Sequence, residues 1–177
     1  MRTSSVLIIL AAMTWSAHAQ LIGDTRCKDS AYVSKMLHVI VQNLQQISEA
    51  IETVPPSEAD YIREEKRLAI EQQNETRFSL VMSNRFYYPF AFHDDYTVVK
   101  DNLGAATRAH GKDQVRFLIV VLSRIGDLQS SMGDYINFDS SRPKSVLNKE
   151  KRQDMYFSMP VAKGRLTSLL QCIISQL

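Results

Sequence analysis

Apolar side chains recur every three or four residues along much of this 177-residue chain, which is the spacing of one face of an α-helix. The most regular stripe is followed by Pro55 and Pro56, which cannot continue a helix. Asp29 or Ser30 precedes the stripe, and either side chain can cap a helix start. The pattern therefore predicts one long amphipathic helix. Its apolar positions are Val33, Leu37, Ile40, Leu44, Ile47, Ile51 and Val54.

Two more helices are predicted in the middle of the chain. The second begins at Ser57, where a capping box is recognisable, and is expected to fail near residues 83–84. A connector rich in aromatic residues follows at 84–95, because Pro89 interrupts any helix there. A third, shorter helix is expected to start around residues 94–95 and to end at Gly111.

The C-terminal third carries the same periodicity. A fourth helix is predicted over residues 112–132, followed by a polar loop at 137–142. The last helix runs to the C-terminus, and Pro160 is expected to kink it or to make it begin anew. Four or five helices with short connectors favour an all-α protein with the architecture of an up-and-down four-helix bundle.

Composition supports this fold class. Hydrophobic residues make up 45% of the chain, which is enough for a buried core. The chain has only 6 Gly and 5 Pro, whereas a β-sandwich or barrel needs frequent turn residues. The formal net charge of +2 is too small to indicate nucleic acid as the main partner.

The first 19 residues have the features of an export signal. Arg2 precedes an apolar run at 6–13, and Ala17-His18-Ala19 supplies the small side chains of a cleavage site. A membrane anchor is the alternative, but the run is much shorter than the ~20 residues that span a bilayer. We therefore expect a cleavable signal at 1–19, a single domain at 20–177 and no transmembrane segment. The protein is then secreted or periplasmic.

Export changes the interpretation of the two cysteines. Cys27 lies near the start of the mature chain and Cys172 lies near its end. In an oxidising compartment such a pair is expected to form a disulfide, which would tie the two ends of the bundle together. Two free thiols, or a bond to another molecule, are the alternatives.

The sequence contains no pattern of an enzyme or a cofactor site. It has no nucleophile elbow, no Gly-rich phosphate loop, no Glu-x-x-His pair and no haem-attachment motif. His93-Asp94-Asp95 is a conceivable set of metal ligands, but a helix start with acidic caps explains these residues more simply. We expect a non-enzymatic protein without a metal or another cofactor.

One segment is strongly basic. It contains five cations and a single acidic residue, Glu150, and could dock a partner protein with an acidic surface. A solvated linker is the alternative interpretation. The cations are Arg142, Lys144, Lys149, Lys151 and Arg152.

The aromatic connector is a second candidate for partner binding. Tyr87 and Tyr88 could serve as interface anchors, since Tyr is enriched at such surfaces. The alternative is that these rings cover the open end of the bundle as part of the core, because so many exposed aromatics would be adhesive.

A modification signal occurs on the predicted second helix. Asn74-Glu75-Thr76 is an acceptor sequence for N-glycosylation, which applies only in a eukaryotic secretory route. Its polar surroundings predict that Asn74 is exposed.

The second half of the chain resembles the PsbQ family, the four-helix extrinsic subunits on the lumenal side of photosystem II. The resemblance covers roughly residues 86–170. It lies in Tyr87-Tyr88-Pro89, in Leu122-Ser123-Arg124-Ile125-Gly126-Asp127-Leu128, and in Met155-Tyr156 leading into 161–170. It implies a non-enzymatic subunit in the thylakoid lumen that stabilises the oxygen-evolving complex, with basic residues meeting acidic surfaces.

Three functional hypotheses follow. The leading one is an exported helical bundle that acts by binding a partner protein, and the PsbQ-like extrinsic subunit is the alternative. The third is a carrier of a small apolar ligand, held between helices by adaptable methionine side chains. The methionines concerned are Met36, Met82, Met132, Met155 and Met159, for which ordinary core packing is the alternative.

Overall fold

The structure of the protein is a computed structural model that describes residues 25–177. The signal expected at 1–19 lies outside the described residues. Within 25–177 every regular element is helical, so the predicted all-α class is confirmed. A short 3-10 helix, Thr25–Lys28, precedes six α-helices. These are α1 (Ser30–Ala50), α2 (Pro56–Glu71), α3 (Glu75–Met82), α4 (Tyr87–Arg108), α5 (Gly111–Ser141) and α6 (Lys149–Ile174).

Helix α1 follows the predicted stripe closely. The Asp29 carboxylate accepts a hydrogen bond from the Ala31 N–H at 2.8 Å, and this caps the helix start as expected. The helix ends at Ala50, four residues before the predicted end at Val54. Ile51 is already extended, yet its side chain remains buried with the stripe.

The predicted second helix is in fact two helices. Gln73 takes a left-handed conformation with φ of 48°, and the Asn74 N–H bonds to the Ala69 carbonyl at 2.9 Å. This is a Schellman ending, which stops α2. The Asn74 side chain then accepts from the Arg77 N–H at 3.0 Å and so caps the start of α3.

The aromatic connector was predicted wrongly, because most of it is helical. Helix α4 begins at Tyr87, well before the expected start at residues 94–95. Pro89 falls in the first turn, where backbone N–H groups have no intrahelical partner. A proline is tolerated there, and its fixed φ suits the helix.

The two C-terminal helices are longer and more continuous than predicted. Helix α5 extends to Ser141 instead of stopping near residue 132, so the irregular loop is confined to 142–148. Buried Tyr135 and Asp139 hold this extension against the rest of the protein. Helix α6 continues through Pro160 without a new start.

Four long helices enclose the main core. Helix α1 packs on α6 and α4, and α5 packs on the same two helices. Leu37, Leu118 and Leu166 are among the fully buried side chains of this core. Burying one such side chain stabilises a fold by roughly 1.5–3 kcal/mol. The α2–α3 pair packs on α4 over a smaller cluster of buried residues, which are Ile62, Val81 and Phe90.

The predicted disulfide is confirmed. Cys27 is bonded to Cys172, and the two Cα atoms are 6.0 Å apart. The bond ties the chain just before α1 to the last turns of α6. No helix within residues 25–177 is both long and apolar enough to cross a bilayer.

Candidate partner-binding surface

The loop between α5 and α6 is held in place by one buried carboxylate. Asp139 is fully buried and accepts hydrogen bonds from the N–H groups of Val146 (2.8 Å) and Leu147 (3.0 Å). The Ser145 hydroxyl also donates to it. Burial alone would raise the pKa of Asp139, but these hydrogen bonds and Arg152 outweigh it and hold the pKa below its usual value. The ionised Asp139 therefore fixes the loop that carries the basic segment.

The two arginines of the basic segment are engaged inside the protein. Arg142 pairs with Glu52 at 2.7 Å, and its guanidinium lies 5.5 Å from the centre of the Phe138 ring. Arg152 pairs with Asp139 at 3.4 Å and also donates to the Ser145 hydroxyl. Their side chains are only 24% and 26% exposed. Both cations are therefore paired with carboxylates inside the protein, and about three quarters of each side chain is covered.

The three lysines of the segment are exposed, but they do not share one face. Lys144 lies in the loop, and Lys149 lies in the first turn of α6. Lys151 lines a groove of about 210 Å³ between α1 and α6, together with Gln46 and Ala50. None of the three forms an ion pair with any residue of 25–177.

Helix α6 presents an apolar face to solvent that the sequence reading missed. Phe157 is 74% exposed, and its neighbours Tyr156, Pro160 and Val161 are exposed too. Residues four apart lie one above the other on a helix, so Phe157 and Val161 form one continuous stripe. The signal was present, because this stripe lies opposite the core positions of α6, among them Met159.

Polar residues extend this stripe at both ends. Lys149 and Gln153 precede Phe157 at intervals of four residues, and Arg165 follows Val161 at the same interval. All five side chains are exposed. We call this row, with Tyr156 and Pro160 beside it, the α6 surface. Each step of four residues turns about 40° around the axis, so the row winds around the helix and Lys149 and Arg165 stand on opposite flanks of its exposed side.

The charge around the α6 surface is mixed, because the exposed carboxylates of Glu150 and Asp154 stand seven and three residues before Phe157, on the same side of the helix. Asp154 is the last acidic residue in the sequence, and Lys163 and Arg165 are the charged side chains that follow it. Lys163 is exposed, but it follows Val161 by two residues and therefore lies on another side of the helix. A partner that covers this surface would meet the cations Lys149 and Arg165 at its two ends and the carboxylate of Asp154 beside Phe157. Carboxylates on the partner suit the two ends of the surface.

Tyr87 and Tyr88, in the segment predicted to be a connector, are half-buried and pack against the cores. Tyr88 stacks on Phe138 with ring centres 4.9 Å apart and packs against the main core. Tyr87 packs against the smaller cluster, and burial raises the pKa of its hydroxyl. The structure thus places these two rings at the junction of the two cores, on α4 and not on α6.

The histidine considered as a metal ligand has other partners. His93 Nε2 lies 3.1 Å from the Glu52 carbonyl oxygen, and Nδ1 lies 3.5 Å from the Ser48 hydroxyl. Burial lowers the pKa of His93, which favours the neutral ring. Residues 25–177 contain no group of three or more His, Cys, Asp or Glu side chains that could hold a metal ion.

The methionines considered for a ligand site are spread over different environments. Met132, Met155 and Met159 are buried in the main core, and Met36 packs against its edge. Met82 is 36% exposed at the end of α3. The structure therefore does not gather the five around one space.

Comparisons with known proteins do not supply a family. No protein-family model matches the sequence, and neither a curated protein nor a solved structure matches it.

Proposed function

We propose that this chain is an exported, non-enzymatic protein that acts by binding a partner protein with an acidic surface. The observation that carries the proposal is the α6 surface, where Phe157 and Val161 are exposed between Lys149 and Arg165. Aromatic residues at the centre of an interface dominate binding energy, and surrounding charges steer the encounter. The disulfide is compatible with export.

The contact centre in this proposal differs from the basic segment of the sequence reading. Arg142 and Arg152 are committed to Glu52 and Asp139, so they shape the loop instead of touching the partner. Lys149 remains the cation of that segment on the α6 surface, and Lys144 stands in the adjoining loop.

We further propose that the four long helices form an up-and-down bundle closed by the disulfide. The start of α1 meets the end of α6 at the disulfide. The end of α4 meets the start of α5, where Gln114 Nε2 donates to the Ala106 carbonyl at 2.9 Å. The end of α5 returns to the end of α1, where the Glu52 N–H donates to the Tyr135 hydroxyl at 3.2 Å. These three meetings support alternating helix directions.

The binding proposal is tested by affinity capture on the secreted full chain. Extracellular fluid of the source organism is passed over the wild type and over Phe157→Gln, Lys149→Glu and Leu80→Gln. Leu80 is the matched control, because it is 69% exposed but lies on α3.

One partner is expected on the wild type and on Leu80→Gln. Phe157→Gln should weaken its binding by about thirtyfold, since aromatic hot spots contribute ~2 kcal/mol or more. Lys149→Glu should weaken it mainly at low salt, where charge is least screened. A partner that binds all four proteins equally would refute the α6 surface as the contact.

The PsbQ-like function remains a prediction from the resemblance. The segment concerned spans α4, α5 and most of α6. An extrinsic subunit should co-purify with thylakoid membranes and be released by high salt. Absence from that fraction in a photosynthetic source would contradict it.

A further inference from the structure

The turn between α2 and α3 presents one asparagine in an unusual position. Residues 71–76 are all exposed, and Asn74 is extended between two helices. Its Oδ1 accepts from the Arg77 N–H, while its Nδ2 donates to no residue within 25–177. The carbonyl end of the amide is thus fixed and the nitrogen end faces solvent.

Asn74 is also the first residue of a glycosylation acceptor. Asn74-Glu75-Thr76 is the only Asn-x-Ser/Thr sequence in the chain. Thr76 is exposed in the first turn of α3. The acceptor nitrogen and the hydroxyl that defines the acceptor sequence are therefore both on the surface.

A shallow groove lined by both apolar and polar side chains lies beside this amide. The groove has a volume of about 490 Å³, and its lining includes Ile70, Phe78 and Asn74 itself. Ile70 is 61% exposed, and Phe78, which also lines the groove, is half-buried. Exposed apolar side chains that lie close together are a liability in solution unless something covers them.

We propose that Asn74 carries an N-linked glycan whose first sugars lie over the groove beside Ile70 and Phe78. A sugar ring has apolar C–H faces, which suit such a groove, and hydroxyl groups that remain in water. Glycans are bulky and solubilising, so this one would remove an adhesive patch from the surface. The inference rests on the proposed export, because the donor is found in the eukaryotic secretory route.

The chemical step is a glycosyl transfer from a lipid-linked oligosaccharide diphosphate. A bond forms between Nδ2 of Asn74 and C1 of the first sugar, and the bond between C1 and the phosphate oxygen breaks. The lipid diphosphate leaves with the electron pair, and Nδ2 gives up one proton. Oδ1 remains the acceptor for the Arg77 N–H, so the cap of α3 is kept.

The test expresses the full chain in cultured animal cells and determines the intact mass of the secreted protein. The wild type and Thr76→Ser should carry a glycan that a peptide N-glycosidase removes. Thr76→Ala and Asn74→Asp should lack it, although Asp still caps α3. Wild-type protein that is secreted without a glycan would overturn this inference and leave export intact. A chain retained in the cytoplasm with residues 1–19 attached would overturn both.

A second measurement addresses the position of the sugars. Enzymatic removal of the glycan should raise the fluorescence of an apolar dye such as anilinonaphthalene sulfonate. The same treatment of Ile70→Gln should raise it much less. If the wild type shows no rise, the placement of the sugars over the groove is wrong.

Discussion

The carboxylate of Glu52, just past the end of α1, binds the guanidinium of Arg142, just past the end of α5, at 2.7 Å. The same carboxylate binds Arg85 at 3.1 Å. The backbone of Glu52 contacts Tyr135 on α5 and His93 on α4. One residue in a connector therefore joins three of the four long helices at one end of the core.

Glu52→Gln should lower the stability of the protein. The substitution removes both ion pairs and leaves Arg142, which is only 24% exposed, without its counter-charge. We expect the free energy of unfolding to fall by about 1–3 kcal/mol, determined from the urea unfolding curve. Asp60→Asn is the control, since Asp60 pairs with Arg63 at a well-exposed position. Equal losses in the two variants would contradict the role of Glu52.

The buried carboxylate of Asp139 should make stability depend on acid. Its pKa lies below the ordinary value of 3.8, so the ionised form stabilises the fold fully above that pH. The contribution is lost progressively as the pH falls from 3.8 to the lower folded-state pKa.

Asp139→Asn should isolate this effect. We expect a loss of about 3 kcal/mol at pH 7, because Arg152 is left without its partner. The difference between wild type and variant should shrink as unfolding is measured towards pH 3. Other carboxylates titrate in both proteins and cancel. A difference that stays constant down to pH 3 would refute the linkage.

The disulfide should contribute more to stability than any single side chain described above. Closing a loop with a sequence separation of 145 residues restricts the unfolded chain and is worth ~5 kcal/mol in the chain-entropy model. Replacing both Cys27 and Cys172 by Ser should lower the free energy of unfolding by up to this amount, measured in urea. In the native protein neither thiol should react with an alkylating reagent before reduction. Two reactive thiols in the unreduced protein would be the contrary result.

Gln73→Gly should stabilise the protein. Gln73 has a φ of 48°, and a left-handed conformation costs a side-chain-bearing residue roughly 1–2 kcal/mol. Glycine adopts it freely but loses more chain entropy, so we expect a net gain of about 0.5–1 kcal/mol in thermal or urea unfolding. The matched control is Gln72→Gly, whose φ is −90° and which should destabilise. A loss of stability in Gln73→Gly would show that its side chain matters more than its backbone.

Periodicity predicted the helices whose faces are buried, but not where they end. Every predicted apolar position from Val33 to Ile51 is buried. The extension of α5 depends on Asp139, whose partners Val146 and Leu147 lie in the following loop. The left-handed position at the break usually holds glycine, and Gln73 occupies it here, so the sequence signal is reduced to the capping residue Asn74. Helix ends are decided by such contacts, which apolar spacing does not encode.

The α6 surface, like the helix ends, could be predicted from the sequence only in part. The run of basic residues in the sequence is enough to identify Lys149 as a candidate contact. The sequence does not show that Arg142 is paired inside the protein, because its partner Glu52 is 90 residues away. The stripe of Phe157 and Val161 follows from the same helical periodicity as the core, because it occupies the face of α6 opposite to the buried positions.

The bond between Cys27 and Cys172 closes residues 27–172 of the folded chain into a covalent ring. Residues 143–146 of the loop are exposed, and Lys144 precedes the residues that Asp139 holds, so the peptide bond after Lys144 is accessible to a protease. A single cut there would open the ring without releasing a fragment, since the two pieces remain joined through sulfur. The nicked protein would run as one chain until reduced, and its helices would stay assembled on both sides of the cut.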